Sequence, residues 1–163
     1  MAGALQIVLF IILLIVLHEL AHIVCARVLG IPIQRIGLTT SPYPHIYVSI
    51  KWPKESKKKY CYLYAGTFIT LGGFLVLSFY HFFNNQFLFY AYVIQLVFET
   101  NPFYSDFTIS MATRISLKKE VKSYAQYYKE QLNMYQFSLP WYIHFLIWTI
   151  IILVLINLKG HLL

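Results

Sequence analysis

The sequence predicts an all-α polytopic membrane protein with about four transmembrane helices. Its 163 residues are 59% hydrophobic and only 12% charged, whereas soluble domains carry about 25% charged residues. Apolar stretches recur that are long enough to cross a bilayer, since about 20 helical residues span its hydrocarbon core. Basic residues fall mainly between these stretches, in two blocks, as is typical of loops on the cytosolic side of a membrane.

The predicted spans are bounded by residues that end helices or form turns. Gly30 and Pro32 terminate the first span. Asn101-Pro102 interrupts the third, because proline donates no backbone hydrogen bond and clashes with the preceding helical turn. We therefore predict four spans, which cover about 4–29, 60–83, 86–112 and 140–158.

Two loops have predicted structure of their own. Segment 33–50 is rich in β-forming residues around the turn-like stretch 41–44, which favours a short cytosolic β-hairpin over an irregular loop. Apolar residues recur at helical spacing from Leu117 to Tyr135 and predict an amphipathic helix at the membrane surface. The predicted organisation is thus a three-span core over 1–112 that includes loop 31–59, an amphipathic segment over 113–139 and a fourth span over 140–163.

The distribution of charge predicts the orientation. All but one of the 13 Lys and Arg residues lie on one face of the four-span arrangement, and the exception is Lys159. The positive-inside rule then places both termini outside and both basic loops in the cytosol, in what we expect to be a bacterial plasma membrane. The net charge of +7 indicates affinity for anionic lipid in the bilayer and requires no nucleic-acid partner.

A polar motif interrupts the first apolar stretch, where residues 18–22 read His-Glu-Leu-Ala-His. A charged side chain costs about 3 kcal/mol at the centre of a bilayer, so three ionisable residues this close together indicate a function. His18 and His22 lie one helical turn apart on the same face and can bind one metal ion. Glu19 stands beside the first of them, where it can accept a proton from water. A polar cluster that joins helices is the competing interpretation.

A catalytic zinc site usually has three protein ligands and one open position. Asp106 is the favoured third ligand, because it follows the break at Asn101-Pro102 and an unwound segment at membrane depth needs protein or a water-filled cavity around it. Glu99 is the alternative ligand. His81 and His144 are weaker candidates, since His81 is expected at the outer interface and His144 as a polar contact in the fourth span, and His45 in the predicted hairpin is expected to be solvated.

The motif in the first span, together with Asn101-Pro102 and Asp106 in the third, resembles the site-2 protease family of intramembrane zinc metalloproteases. The resemblance covers the three-span core, about 4–112. It implies a three-helix catalytic core, a Zn²⁺ ion bound by His18, His22 and Asp106, and Glu19 as the catalytic base. Asn101 is a candidate for binding the substrate or stabilising the oxyanion.

Two motifs of that family are altered in this chain. Asp106 is followed by Phe107, where members often have glycine. The second span carries Gly66 where members often have Gly-Pro-x-x-Asn, but Thr67 and Thr70 replace the proline and the asparagine. The way in which Asp106 is presented is therefore the feature that the structure must explain.

The expected function is hydrolysis of a peptide bond in a membrane-embedded substrate, either a small peptide precursor or a tethered regulator. One alternative is a non-proteolytic zinc-binding membrane protein that acts in peptide export or immunity; Glu19 argues against it, because structural zinc needs no adjacent base. Another is a metal transporter, which would carry ionisable residues along a path across the membrane. In this sequence they cluster in the predicted cytosolic half.

Overall fold

The computed structural model describes residues 2–39, 45–79, 85–115 and 132–162, which are mostly helical with one small sheet. The chain divides into two compact units, a first that extends to Leu96 and a second that covers Val97–His161. In chain order the elements are α1 (Ala2–Val28), β1 (Ile33–Thr39), β2 (His45–Ile50), α2 (Ser56–Phe79), α3 (Gln86–Thr100), α4 (Asp106–Ile115) and α5 (Leu139–Leu162).

Three of the described helices are long and apolar enough to cross a membrane, which supports a membrane protein. They are α1 over Gly3–Val28, α2 over Ser56–Phe79 and α5 over Leu139–Asn157. The third predicted span is instead two helices, α3 with 15 residues and α4 with 10, each shorter than the roughly 20 residues that a crossing requires. The predicted count of four spans is therefore not confirmed, whereas the break at Asn101-Pro102 is.

Helix α1 ends where the sequence predicts. Gly30 has a φ of 65°, a left-handed conformation that glycine adopts without strain. The Gly30 N–H donates to the Arg27 carbonyl at 3.2 Å and the Ile31 N–H donates to the Ala26 carbonyl at 2.8 Å. This pair of bonds is a Schellman motif, which satisfies carbonyls that the end of the helix leaves open.

The predicted hairpin is confirmed as an antiparallel pair of β1 and β2. Its register runs from Ile33 opposite Ile50 to Thr39 opposite His45, with an irregularity between Ile33 and Arg35. The turn predicted at 41–44 lies outside the described residues. Most of the predicted amphipathic helix falls on 116–131, which are also outside them.

The first unit is built on α1, which packs against α2 and both strands. The buried side chains of α2 recur at helical spacing and form one face: Lys59, Tyr62, Leu63, Gly66, Thr70 and Phe74. The ring of Phe74 also lies 6.2 Å from that of Phe89 and 6.1 Å from that of Tyr92, both on α3. Large side chains on the rest of α1, such as Leu9 and Val16, are exposed, as expected of a surface that faces lipid.

Candidate metal centre

The two histidines of the sequence motif converge in the structure. His18 and His22 are both buried, and their Nε2 atoms lie 3.1 Å apart. Two nitrogen ligands at 2.0–2.1 Å from a tetrahedral zinc ion would be separated by about 3.3 Å. The observed spacing is close to this value, so the pair could bind a single tetrahedral metal ion.

The tautomer of His22 follows from its second contact. Its Nδ1 lies 2.8 Å from the backbone carbonyl of Tyr62 on α2. A carbonyl can only accept, so Nδ1 carries the proton and the lone pair of the neutral ring is on Nε2. A metal-binding histidine usually donates its other ring N–H in this way, which fixes the ring and makes it a better ligand. Sequence reasoning did not identify Tyr62, because a backbone carbonyl has no residue signature.

Gly66 of α2 provides the space that the His18 ring occupies. A Cβ at this position would come closer than 3.0 Å to three atoms of the imidazole, Cε1, Nδ1 and Nε2. Such an approach is essentially never made by a real Cβ. The sequence indicated only that small residues let helices approach closely, and the structure shows that Gly66 is required by one of the two histidines.

The first unit also carries the predicted base. Glu19 directly follows His18 on α1 and is half-buried. Its catalytic role stays a prediction.

The predicted third ligand joins the histidine pair. The ligand atoms of His18, His22 and Asp106 all lie within 4.8 Å of one another, and this group could hold a metal ion. Asp106 is half-buried. Glu99, the alternative ligand, is buried in α3 and is not part of the group.

Asp106 is presented by the start of a helix. Ser105 caps α4, since its Oγ accepts the backbone N–H of Thr108 at 3.1 Å, a bond that satisfies one of the open donors of the first turn. Asp106 is the first residue of α4, where the helix dipole favours a carboxylate. The Asp106-Phe107 sequence therefore presents its carboxylate from a capped helical turn.

The side chain of Asn101 shapes the break itself. Its Oδ1 accepts the backbone N–H groups of Phe103 at 2.9 Å and Tyr104 at 2.8 Å, and its Nδ2 donates to the Phe98 carbonyl. Its own carbonyl accepts the hydroxyls of Ser105 at 2.6 Å and Thr108 at 2.7 Å. Substrate binding by Asn101 stays a prediction, and the contacts in the structure are those of a residue that builds the turn.

Helix α5 donates hydrogen bonds to three further carbonyls at the break. Buried carbonyls without a partner are costly, and at membrane depth no bulk water can replace one. Three side chains on one face of α5 donate ring N–H groups to them: Trp141 to Pro102 at 3.0 Å, His144 to Thr100 at 2.9 Å and Trp148 to Val97 at 3.0 Å. Sequence reasoning treated His144 as a polar contact and missed the tryptophans, although N–H groups at helical spacing in an apolar helix were a usable signal.

Of the other histidines, His144 is described by the structure and is not part of the ligand group. His144 uses both ring nitrogens in other hydrogen bonds. His81 lies outside the described residues, as does the side chain of His45.

No family model matches the chain, and neither a curated protein nor a solved structure matches it. The resemblance to the site-2 protease family therefore stays a prediction from the sequence motifs.

Proposed function

We propose that this chain is an intramembrane zinc metalloprotease that hydrolyses a peptide bond in a membrane-embedded substrate. The observation that carries the proposal is the geometry of His18 and His22. Their Nε2 atoms are 3.1 Å apart, and the Tyr62 carbonyl leaves the lone pair of His22 on the ligand nitrogen.

The ligand set suits a catalytic zinc ion. His18, His22 and Asp106 would supply two nitrogen atoms and one oxygen atom, the number of protein ligands that a catalytic zinc site usually has. When bound, zinc supplies a Lewis acid that polarises a peptide carbonyl and lowers the pKa of water toward 7. The protein contributes the fixed directions of the ligands, through Tyr62 for His22 and Gly66 for His18.

Glu19 would move the protons. It accepts one from the attacking water and passes it to the leaving amine, so that one carboxylate serves first as base and then as acid. Its place directly after His18 favours this role. A structural zinc site has no use for an adjacent base, so Glu19 favours the protease over a zinc-binding protein that acts only in peptide export or immunity.

The substrate would be a peptide or protein in the lipid bilayer, such as a small peptide precursor or a tethered regulator. A helical substrate hides its carbonyls in its own hydrogen bonds and must unwind before it can be cut. On the distribution of Lys and Arg, we place both termini outside and the site toward the cytosol. The composition, rich in Lys, Ile, Phe and Tyr, favours a bacterial plasma membrane.

The experiment that tests the proposal replaces Glu19 by glutamine. Glu19→Gln removes the base and keeps the volume of the side chain, so we expect zinc to remain bound while proteolysis stops. Membranes from cells that express the variant or the wild type, with small single-span precursors co-expressed, are compared by mass spectrometry of their peptides. Zinc in the purified proteins is measured by elemental analysis.

The matched control is Glu99→Gln, the same change at the buried acid of α3. It is expected to keep both zinc and proteolysis, because Glu99 is outside the ligand group. Loss of zinc in Glu19→Gln with no accumulated precursor would contradict the proposal and favour a structural site. Loss of zinc in Glu99→Gln would favour Glu99 as a ligand in place of Asp106.

A further inference from the structure

His144 is a buried histidine that the proposed reaction does not use. It is only 4% exposed and lies in the middle of three contacts within the second unit. Its Nε2 is 2.9 Å from the Thr100 carbonyl, and its Nδ1 is 2.6 Å from the Tyr135 hydroxyl. Its ring centre lies 4.9 Å from that of Phe107, at an interplanar angle of 57°.

These contacts fix one orientation of the ring. The Thr100 carbonyl can only accept, so Nε2 carries the proton and Nδ1 accepts from the Tyr135 hydroxyl. Burial raises the pKa of Tyr135 to about 12, so the hydroxyl keeps its proton at physiological pH. A half-turn of the imidazole would replace both nitrogens by carbons and lose both hydrogen bonds. Both nitrogens are thus engaged, and His144 is not available as a metal ligand.

Two of the three contacts of His144 lie on opposite sides of the helix break. Thr100 is the last residue of α3, and Phe107 directly follows Asp106 in the first turn of α4. A single rigid ring therefore holds the end of one helix and the start of the next. Phe107 supplies an aromatic surface for that ring, which gives a physical reason for a large side chain after Asp106.

We propose that His144 is a positioning residue for Asp106: it fixes the first turn of α4 against the end of α3, so that the carboxylate is presented in one geometry. The inference rests on the proposed function, because it takes Asp106 as a metal ligand. Beside the metal ligands and the base, the site would then include a residue that touches neither metal nor substrate. His144 would act on Asp106 only through the backbone and Phe107.

A residue that only stabilises the fold would behave differently from one that positions a ligand. Outer contacts of metal ligands typically change metal affinity by about 10- to 100-fold when removed. Trp148 is the matched comparison, because it donates a similar N–H from the same helix to a carbonyl of α3, that of Val97, which lies farther from Asp106 in the chain. Substitution of His144 or of Trp148 would lower the stability of the fold. Only substitution of His144 is expected to change metal affinity as well.

The test uses Co²⁺ as the probe, in the purified full chain in lipid nanodiscs. The visible absorption of Co²⁺ reports coordination geometry, and a titration gives the affinity. We expect His144→Leu to lower Co²⁺ affinity by about 10- to 100-fold and to shift the absorption bands toward those of Asp106→Asn. We expect His144→Gln, whose amide can still donate to Thr100, to recover part of the affinity. Trp148→Phe should keep the wild-type bands and affinity.

Wild-type bands and affinity in His144→Leu, beside a clear change in Asp106→Asn, would overturn the positioning role and leave the proposed function standing. Equal changes in His144→Leu and Trp148→Phe would also overturn it, since both would then act through stability alone. No change in Asp106→Asn would instead contradict the metal site of the proposed function. If His144→Leu does not accumulate, Phe107→Leu decides, because it keeps both hydrogen bonds of His144: wild-type affinity there overturns the inference, and a lower affinity supports it.

Discussion

The two units hold their candidate metal ligands by different means. In the first unit, the ligands lie inside a continuous helix, and the backbone does most of the positioning: one helical turn separates His18 from His22, and the Tyr62 carbonyl orients the second ring. In the second unit, Asp106 lies just after a break, and side chains do the positioning.

The difference follows from the number of backbone N–H and C=O groups that each segment leaves without a hydrogen-bond partner. A continuous helix pairs its own N–H and C=O groups, so a ligand within it needs only the right spacing and space for its ring. A broken helix frees several carbonyls, which must find partners where water is scarce. In this chain the partners include Ser105, Thr108 and three residues of α5. The position of a ligand at a break therefore depends more on distant side chains than the position of a ligand within a helix does.

The largest expected effect is a loss of metal affinity in the first unit, caused by Gly66→Ala. The added Cβ would overlap the His18 ring, so the ring must move, and we expect metal affinity to fall by at least about 10- to 100-fold. Isothermal titration with Zn²⁺ measures the change. Gly72→Ala is the control on the same helix, since a Cβ there meets nothing within 4 Å. Equal affinities in the two variants would show that His18 does not depend on the space at Gly66.

A smaller effect is expected in the second unit from Ser105→Ala. The change removes the cap of α4 and one donor to the Asn101 carbonyl, so we expect the free energy of unfolding to fall by about 1–2 kcal/mol. Unfolding in mixed micelles, followed by circular dichroism, measures it. Ser105→Asn keeps a capping oxygen and should lie close to wild type. An unchanged free energy in Ser105→Ala would mean that the break does not depend on this side chain.

The smallest effect at the metal is expected from Tyr62→Phe, back in the first unit. The Tyr62 hydroxyl donates to the Val48 carbonyl of β2 at 2.7 Å, and its loss should lower stability by about 1 kcal/mol. The backbone carbonyl that orients His22 remains, so zinc affinity should equal that of the wild type. A clear loss of zinc affinity would contradict this difference between the two units, because a side chain would then control a ligand of the first unit.

Much of the fold could be predicted because its signals are local. The end of α1 at Gly30 and the end of α3 at Asn101-Pro102 could be predicted, because each depends on the backbone freedom of one or two residues. The β-rich segment formed its hairpin. The count of four spans was a weaker prediction, because the break divides the third apolar stretch into α3 and α4, and each is too short to cross alone.

The site was predictable in part for the same reason. The i, i+4 spacing of His18 and His22 specifies a shared helix face, and the break singled out Asp106. Tyr62, Gly66 and His144 could not be assigned their contacts from the sequence, because each acts on a residue at least 37 positions away or through a backbone atom.

The sequence by itself limited the candidate metal ligands to His18, His22 and either Asp106 or Glu99, since helical periodicity and the chemistry of imidazole and carboxylate are local properties. The tertiary structure alone decided how they are held. It placed a carbonyl of α2 on Nδ1 of His22, left space for His18 at Gly66 and set His144 across the break before Asp106. These contacts depend on which helices pack together, and helix packing is set by the whole surface of each helix.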